Sequence, residues 1–201
     1  MFKKLIIASL LFFFTCIAFA SAPRNDPAAL MQYIANNMVA GLKANQATLK
    51  TRPDVVYRLA EQYIVPYADL ADMAKHVLPP ATWNSATPAQ RAQFERAFER
   101  TLIRTYSSSL TSYSDQTVTV YPVRGGVSGN TVEVNSQINS SEGEPIQVTY
   151  TMVRVGGGWR LYDLSVEGVS MLESFRAQFS DLLSQGDMNQ LLQRMSNHNE
   201  D

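Results

Sequence analysis

The hydrophobic period of this chain changes near residue 115, and that change constrains the fold more than any other feature. Up to Ser112 apolar residues return every fourth position; from Thr117 to Val166 they alternate with polar ones. Spacing of four places side chains on one face of a helix, and spacing of two on one face of a strand. Helical spacing returns after Ser170. Helices, then strands, then helices is an α+β order.

The helix starts are marked. Asp26-Pro27 offers a capping side chain and a first-turn proline, and Leu30, Ile34, Met38 and Leu42 follow as one stripe. Pro53-Asp54 opens a second helix, with Val56, Leu59, Ala60 and Tyr63, that ends before Pro66. A third, short helix starts at Asp69, carries Leu70, Met73 and Val77 on one side, and is expected to stop at Pro79-Pro80. Thr87 and Gln90 form a capping box for the longest helix, to about Ser112, in which Phe94, Phe98, Leu102, Tyr106 and Leu110 recur. Its charged residues, Arg91, Glu95, Arg96, Glu99, Arg100 and Arg104, read as a solvated surface. Four strands are expected, near 117–121, 132–139, 146–152 and 159–166. Gly125-Gly126 to Asn130, Ser141-Glu142-Gly143 and Gly156-Gly157-Gly158 join them as hairpins into an antiparallel meander with one wet face. Ser170 and Glu173 read as a second capping box, for a helix with Leu172, Phe175, Phe179 and Leu182. Gly186 ends it, Asp187 caps a last helix through Met195, and Asn197 onward reads as a frayed tail.

The first 22 residues read as a secretory signal peptide: Lys3 and Lys4, an apolar run over 5–17, then Ala18-Phe19-Ala20 and Ala20-Ser21-Ala22 as small-x-small cleavage sites. The run is too short for a membrane span. Cleavage after Ala20 or Ala22 removes Cys16, the only cysteine, so no disulfide framework is expected. Acylation of Cys16 would want a small residue before it and a Leu-like one three before; Thr15 and Phe13 stand there. Losing Lys3 and Lys4 from 17 basic residues leaves 15 against 18 acidic ones, a net charge of −3. With no basic run or basic face, nothing suggests nucleic acid, and no nucleic-acid partner is expected. No later apolar stretch approaches bilayer length, so the mature chain reads as soluble. Residues 23–115 read as a largely helical subdomain and 116–201 as sheet plus closing helices, sharing one core.

Catalytic equipment is sparse. His76 lies beside Met73 and Val77 and reads as a packed or surface residue; His198 lies in the tail. No Gly-x-Ser-x-Gly elbow, phosphate loop or dinucleotide fingerprint occurs, and a zinc site would lack soft ligands. Asp69 and Asp72 read as acids favoured by a helix N-terminus. Asp163 and Glu167, four apart on a regular strand, would share a face and pair with Arg or with backbone N–H groups. An exported chain of this kind reads as a binder or carrier rather than an enzyme.

Three stretches carry a family resemblance: Val65-Pro66-Tyr67-Ala68-Asp69; Ser85 to Arg91 with Phe94 and Phe98; and, most specifically, Gly158-Trp159-Arg160-Leu161-Tyr162-Asp163 with Val166 to Met171. Together they resemble the MlaC, or toluene-tolerance, family of periplasmic phospholipid-binding proteins. The resemblance implies a cystatin-like or nuclear-transport-factor-like α+β cone, a curved sheet packed by long helices, and a periplasmic location. It implies a shuttle moving phospholipid between outer and inner membranes in a lipid-asymmetry pathway. The implied partners are the lipid-binding subunit of an inner-membrane ABC transporter and an outer-membrane lipoprotein complex. Bound phospholipid would be cargo, with no cofactor, no metal and no catalytic residue, and a monomer is expected. A cleft between sheet and helices would then be lined by Leu70, Met73 and Val77; by Phe98, Leu102 and Tyr106; and by Tyr150, Met152, Val169, Met171, Leu172 and Phe175. Thioethers tolerate varied acyl chains, and Tyr106 and Tyr150 offer hydroxyls near the ester region. Two alternatives stay open on the residues alone: a hydrolase or isomerase with an apolar pocket and Asp163 as its acid, or an adaptor that docks on a membrane complex without carrying lipid.

Overall fold

The computed structural model describes residues 21–113, 115–141, 143–184 and 186–200. The expected signal peptide, with Cys16, lies outside these residues except for Ser21 and Ala22. The chain runs α1 (Pro27–Asn45), α2 (Asp54–Tyr63), a 3-10 turn (Val65–Tyr67), α3 (Leu70–His76), α4 (Pro80–Ser85) and α5 (Pro88–Thr111). Five strands follow: β1 (Thr117–Val120), β2 (Thr131–Asn139), β3 (Ile146–Val155), β4 (Gly158–Val166) and β5 (Val169–Ser170). Helices α6 (Met171–Ser184) and α7 (Met188–Glu200) end the chain. The strands form one antiparallel meander in chain order, so the fold is α+β.

The caps explain why the helices start where they do. The Asp26 carboxylate accepts from the Ala29 N–H at 3.0 Å. Thr87 Oγ1 accepts from Gln90 N–H at 3.2 Å while Gln90 Oε1 accepts from Thr87 N–H at 2.8 Å, which completes the capping box. Asp187 Oδ1 accepts from the N–H groups of Asn189 and Gln190.

Four expectations need correction. Pro79-Pro80 does not merely end α3: Pro79 is extended, as a residue before proline must be, and Pro80 opens α4. Arg91 holds that short helix by donating to the carbonyls of Trp83 and Asn84 at its end. The sheet has five strands, not four. Glu167 and Gly168 both take positive φ (50° and 80°), a type I′ turn that folds Val169-Ser170 back onto β4. The box at Ser170 is half made: Ser170 Oγ accepts from the Glu173 N–H, but the Glu173 side chain reaches His76 instead. Finally, α7 continues to Glu200 where a frayed tail was expected.

Helix α1 packs against β1, β2 and β4, α6 packs on β4, and α5 is packed by α2, α3 and α7. One contiguous cluster of buried apolar side chains joins α1 to α7 and the sheet. Among the described residues no helix is long and apolar enough to cross a membrane.

Candidate functional site

Directly opposed residues in an antiparallel ladder share a face, so the register assembles one face of the sheet row by row. The first row is Val118, Ile138 and Ile146; the second is Val120, Ser136, Val148, Val166 and Val169. Val134, Tyr150 and Leu164 make the third, and Val132, Met152 and Leu161 the fourth. The other face carries Glu133, Asn135, Gln137, Thr149 and Thr151. The apolar face is therefore unbroken except for two hydroxyls, those of Ser136 and Tyr150.

Helices cover this face unevenly. In the fourth row all three residues are buried, with Met152 at 0% exposure. In the second, Val148 is buried while Val166 is 38% exposed. In the first, Ile146 is 43% exposed and Val118 and Ile138 are half-buried. Tyr106, Leu110 and Tyr113, at the C-terminal end of α5, are half-buried against the core. The result is an apolar surface closed at one end and open at the other, of the kind that holds a ligand by burial.

Two hydroxyls meet on this surface: Ser136 Oγ donates to Tyr150 Oη at 3.3 Å. Ser136 is fully buried. Burial raises the pKa of Tyr150 above its ordinary 10.0, with the Ser136 hydrogen bond working in the opposite direction.

Asp163 is held in a structural junction. Its Oδ1 accepts from the N–H groups of Leu164 (2.8 Å) and Leu172 (3.1 Å), and its Oδ2 accepts from Ser170 Oγ at 2.5 Å. It thereby ties β4, β5 and the first turn of α6 together. The bulge at Tyr162 precedes Asp163, the strand is regular from there to Val166, and Glu167 leaves it in the I′ turn. The Glu167 carboxylate accepts from the Gln147 N–H at 2.6 Å. Nearby, His76 Nε2 lies 3.0 Å from Glu173 Oε1, and its ring meets Tyr162 edge-on at 5.9 Å. The hydrogen bond to His76, with Arg176 adding to it, lowers the Glu173 pKa. No cluster of metal-ligating side chains occurs among the described residues.

Of the expected lining residues, Met73, Val77, Phe98, Leu102, Met152, Met171, Leu172 and Phe175 are buried. Leu70, Tyr106 and Tyr150 are half-buried against the same cluster. Phe98 and Phe175 meet edge-on at 5.6 Å within a four-phenylalanine seam, with Phe94 and Phe179, between α5 and α6. They pack helix to helix rather than facing the open surface. Val169 is the clearest departure. It is 65% exposed at the sheet margin, because the I′ turn puts it on a two-residue edge strand and not in the interior. Sequence reasoning missed the open rows, Val118, Ile138, Ile146, Leu164 and Val166, although their alternation carried the signal. It also passed over Ser136, whose inward position between Val134 and Ile138 marks a polar group on an apolar face.

A separate surface groove of about 490 Å³ lies between α4 and the α6–α7 corner, lined by Thr82, Ser85, Gln90, Leu183, Asp187 and Asn189 among others. None of the expected lining residues reaches it. Its mixed polar walls suit it poorly to hydrocarbon.

Comparison with known proteins adds four observations. The family described as MlaC protein matches residues 32–197. The chain is 27% identical over 157 residues to the toluene tolerance protein ttg2D of Pseudomonas putida, covering 78% of this chain and 73% of that one. It is 26% identical over 173 residues to the intermembrane phospholipid transport system binding protein MlaC of Haemophilus influenzae, covering 85% and 80%. Among solved structures, a phospholipid-binding protein from Ralstonia solanacearum, in complex with a phospholipid, superposes with a TM-score of 0.79. It is 30% identical, and the match covers 87% of this chain and 97% of that one.

Proposed function

The chain belongs to the MlaC family, and from that premise we propose that it binds a phospholipid on the apolar face of its sheet and carries it through an aqueous compartment. The observation that supports this most is the face itself: apolar over four rows, buried at one end, open at the other. Six residues at about 3.3 Å each separate the first row from the fourth, roughly 20 Å. The chains of one bilayer leaflet span about 15 Å, so an acyl chain laid along the rows would fit.

In this reading the periplasm is the compartment, the signal peptide delivers the chain there, and lipid travels between outer and inner membranes. An inner-membrane ABC transporter's lipid-binding subunit and an outer-membrane lipoprotein complex would be its exchange partners. The protein works as a monomer in a cystatin-like cone, residues 23–115 and 116–201 contribute jointly to one cleft, and no reaction is catalysed. The engagement of Asp163 by three donors supports the last point, since that carboxylate was the best candidate acid.

The energetics favour exchange rather than capture. Two acyl chains hold about 30 methylenes at about 0.8 kcal/mol each on burial from water. The product, roughly 24 kcal/mol, exceeds the affinity ceiling of about 18 to 21 kcal/mol. The relevant reference is therefore a bilayer, from which transfer is near neutral, and direction comes from the partners. Chains would slide in at the Ile146 and Val166 end and progress toward Met152 as the helical layer lifts from the sheet. Leu70, Met73, Val77, Leu102, Met171 and Leu172 would be the side chains that repack.

Ile146→Glu tests this. Ile146 is 43% exposed, so the carboxylate stays hydrated in the empty protein and the fold survives. An acyl chain that enters at this end must pass over the charge and desolvate it, which costs several kcal/mol. Lipid loading from vesicles should fall at least tenfold with an unchanged circular dichroism spectrum; normal loading would put the binding surface elsewhere.

A further inference from the structure

Two hydroxyl groups contain two protons, and the hydrogen bond between Ser136 and Tyr150 uses one. Among the described residues nothing accepts the other. Whichever way the pair is polarised, one donor is left over on a face whose other members are aliphatic side chains, Met152 and no charged group. Ser136 is fully buried while Tyr150 is only half-buried, so the proton left to spend is the tyrosine's, and Ser136 orients the ring by donating to it.

Tyr150 is only partly buried, so in the empty protein solvent is the partner left for that proton. A ligand that covers Tyr150 must either accept its hydrogen bond or leave a buried donor unpaired, and the penalty for the second outcome is what creates selectivity. Hydrocarbon cannot accept. An ester carbonyl can, and in a diacyl lipid it stands where the chains begin. We propose that Tyr150, positioned by Ser136, is a specificity residue that donates to an ester carbonyl of the bound lipid and so selects ester-linked over ether-linked chains. The pair lies between the covered rows at Met152 and the open rows at Ile146, where the carbonyl would sit with apolar contacts for the chain beyond it. A phenol is protonated at neutral pH at its ordinary value of 10.0, and burial raises Tyr150 further in the same direction. This inference rests on the carrier reading above.

The test offers delipidated mature protein vesicles containing equal parts of diacyl phosphatidylethanolamine and its dialkyl ether analogue, then measures both lipids on the recovered protein by mass spectrometry. The wild type should enrich the diester about fivefold, the size of one net hydrogen bond of about 1 kcal/mol. Tyr150→Phe should bring the ratio to one, by lowering uptake of the diester and leaving uptake of the ether lipid unchanged. Ser136→Ala keeps the tyrosine but frees its ring, and should give an intermediate ratio; it serves as the decisive variant if Tyr150→Phe folds poorly. A purely structural role for the pair would lower loading of both lipids equally and leave the ratio untouched. A wild-type ratio of one, or a ratio that survives both substitutions, overturns the proposal with the carrier reading intact. A wild type that takes up neither lipid overturns the carrier reading, and the proposal with it.

Discussion

Asp163, the acid of the enzyme alternative, takes the structural role also expected of it in the sequence, accepting from backbone N–H groups. Its carboxylate satisfies two backbone donors and one hydroxyl at the junction of β4, β5 and α6. Asp163→Ala leaves those donors without a partner in a part-buried setting, and should cost about 3 kcal/mol. The measurement is a urea midpoint, with lipid loading unchanged at low denaturant; a midpoint within error of wild type would show that the junction holds without it. Tyrosines make a second prediction at this scale. Burial is the largest influence on Tyr57, Tyr67, Tyr106, Tyr150 and Tyr162, and it raises all five above the ordinary value of 10.0. Between the ordinary and the raised values the folded chain holds protons that the unfolded chain has released. Stability contributed by these groups is thus complete below about pH 10 and declines as pH rises through their folded values. Thermal unfolding followed between pH 9 and 11 should show Tm falling, and the ultraviolet tyrosinate titration should be split; all nine tyrosines ionising together near 10 would contradict it. The inward positions of the strands were legible residue by residue, because a period of two leaves no freedom in which side chain faces the core. What the open rows do was not legible, since a filled core and an open cleft use the same residue types.

Long elements announced themselves and short ones did not. Helices α1 and α5 repeat their apolar residues over many turns and carry capping side chains that the structure satisfies. Helix α4, six residues, and strand β5, two residues, are too short for either period to complete a second cycle. The β4–β5 hairpin is the element on which sequence reading went furthest astray, because Glu167 is an uncommon residue at positive φ. Its carboxylate bond to the Gln147 N–H explains the choice. Gly168 in the same turn has φ 80°, so Gly168→Ala should destabilise by about 1 kcal/mol or more through backbone strain alone. Open space surrounds the position where the new Cβ would stand, so packing adds nothing. A differential scanning measurement should show a lower Tm; an unchanged one would mean that the hairpin adjusts and that Val169-Ser170 is not held in place by this turn.

At the scale of the whole molecule, a single buried cluster joins helices from both ends of the chain to one sheet face, and part of that face remains open. A protein built only to be stable would close it. Leaving Ile146, Val166 and Val169 exposed forgoes burial worth about 25 cal/mol per Å², a cost that makes sense if an apolar ligand covers the surface in use. The family resemblance legible in Gly158 to Asp163 pointed to the same conclusion, but composition and periodicity alone ended at an α+β binder. The central claim is that the mature protein carries phospholipid. The most direct test is native mass spectrometry of the purified mature chain, with its solvent extract analysed for lipid. The account predicts phospholipid at about one molecule per chain. A chain that is recovered lipid-free, and that also takes up none from phospholipid vesicles, would contradict it.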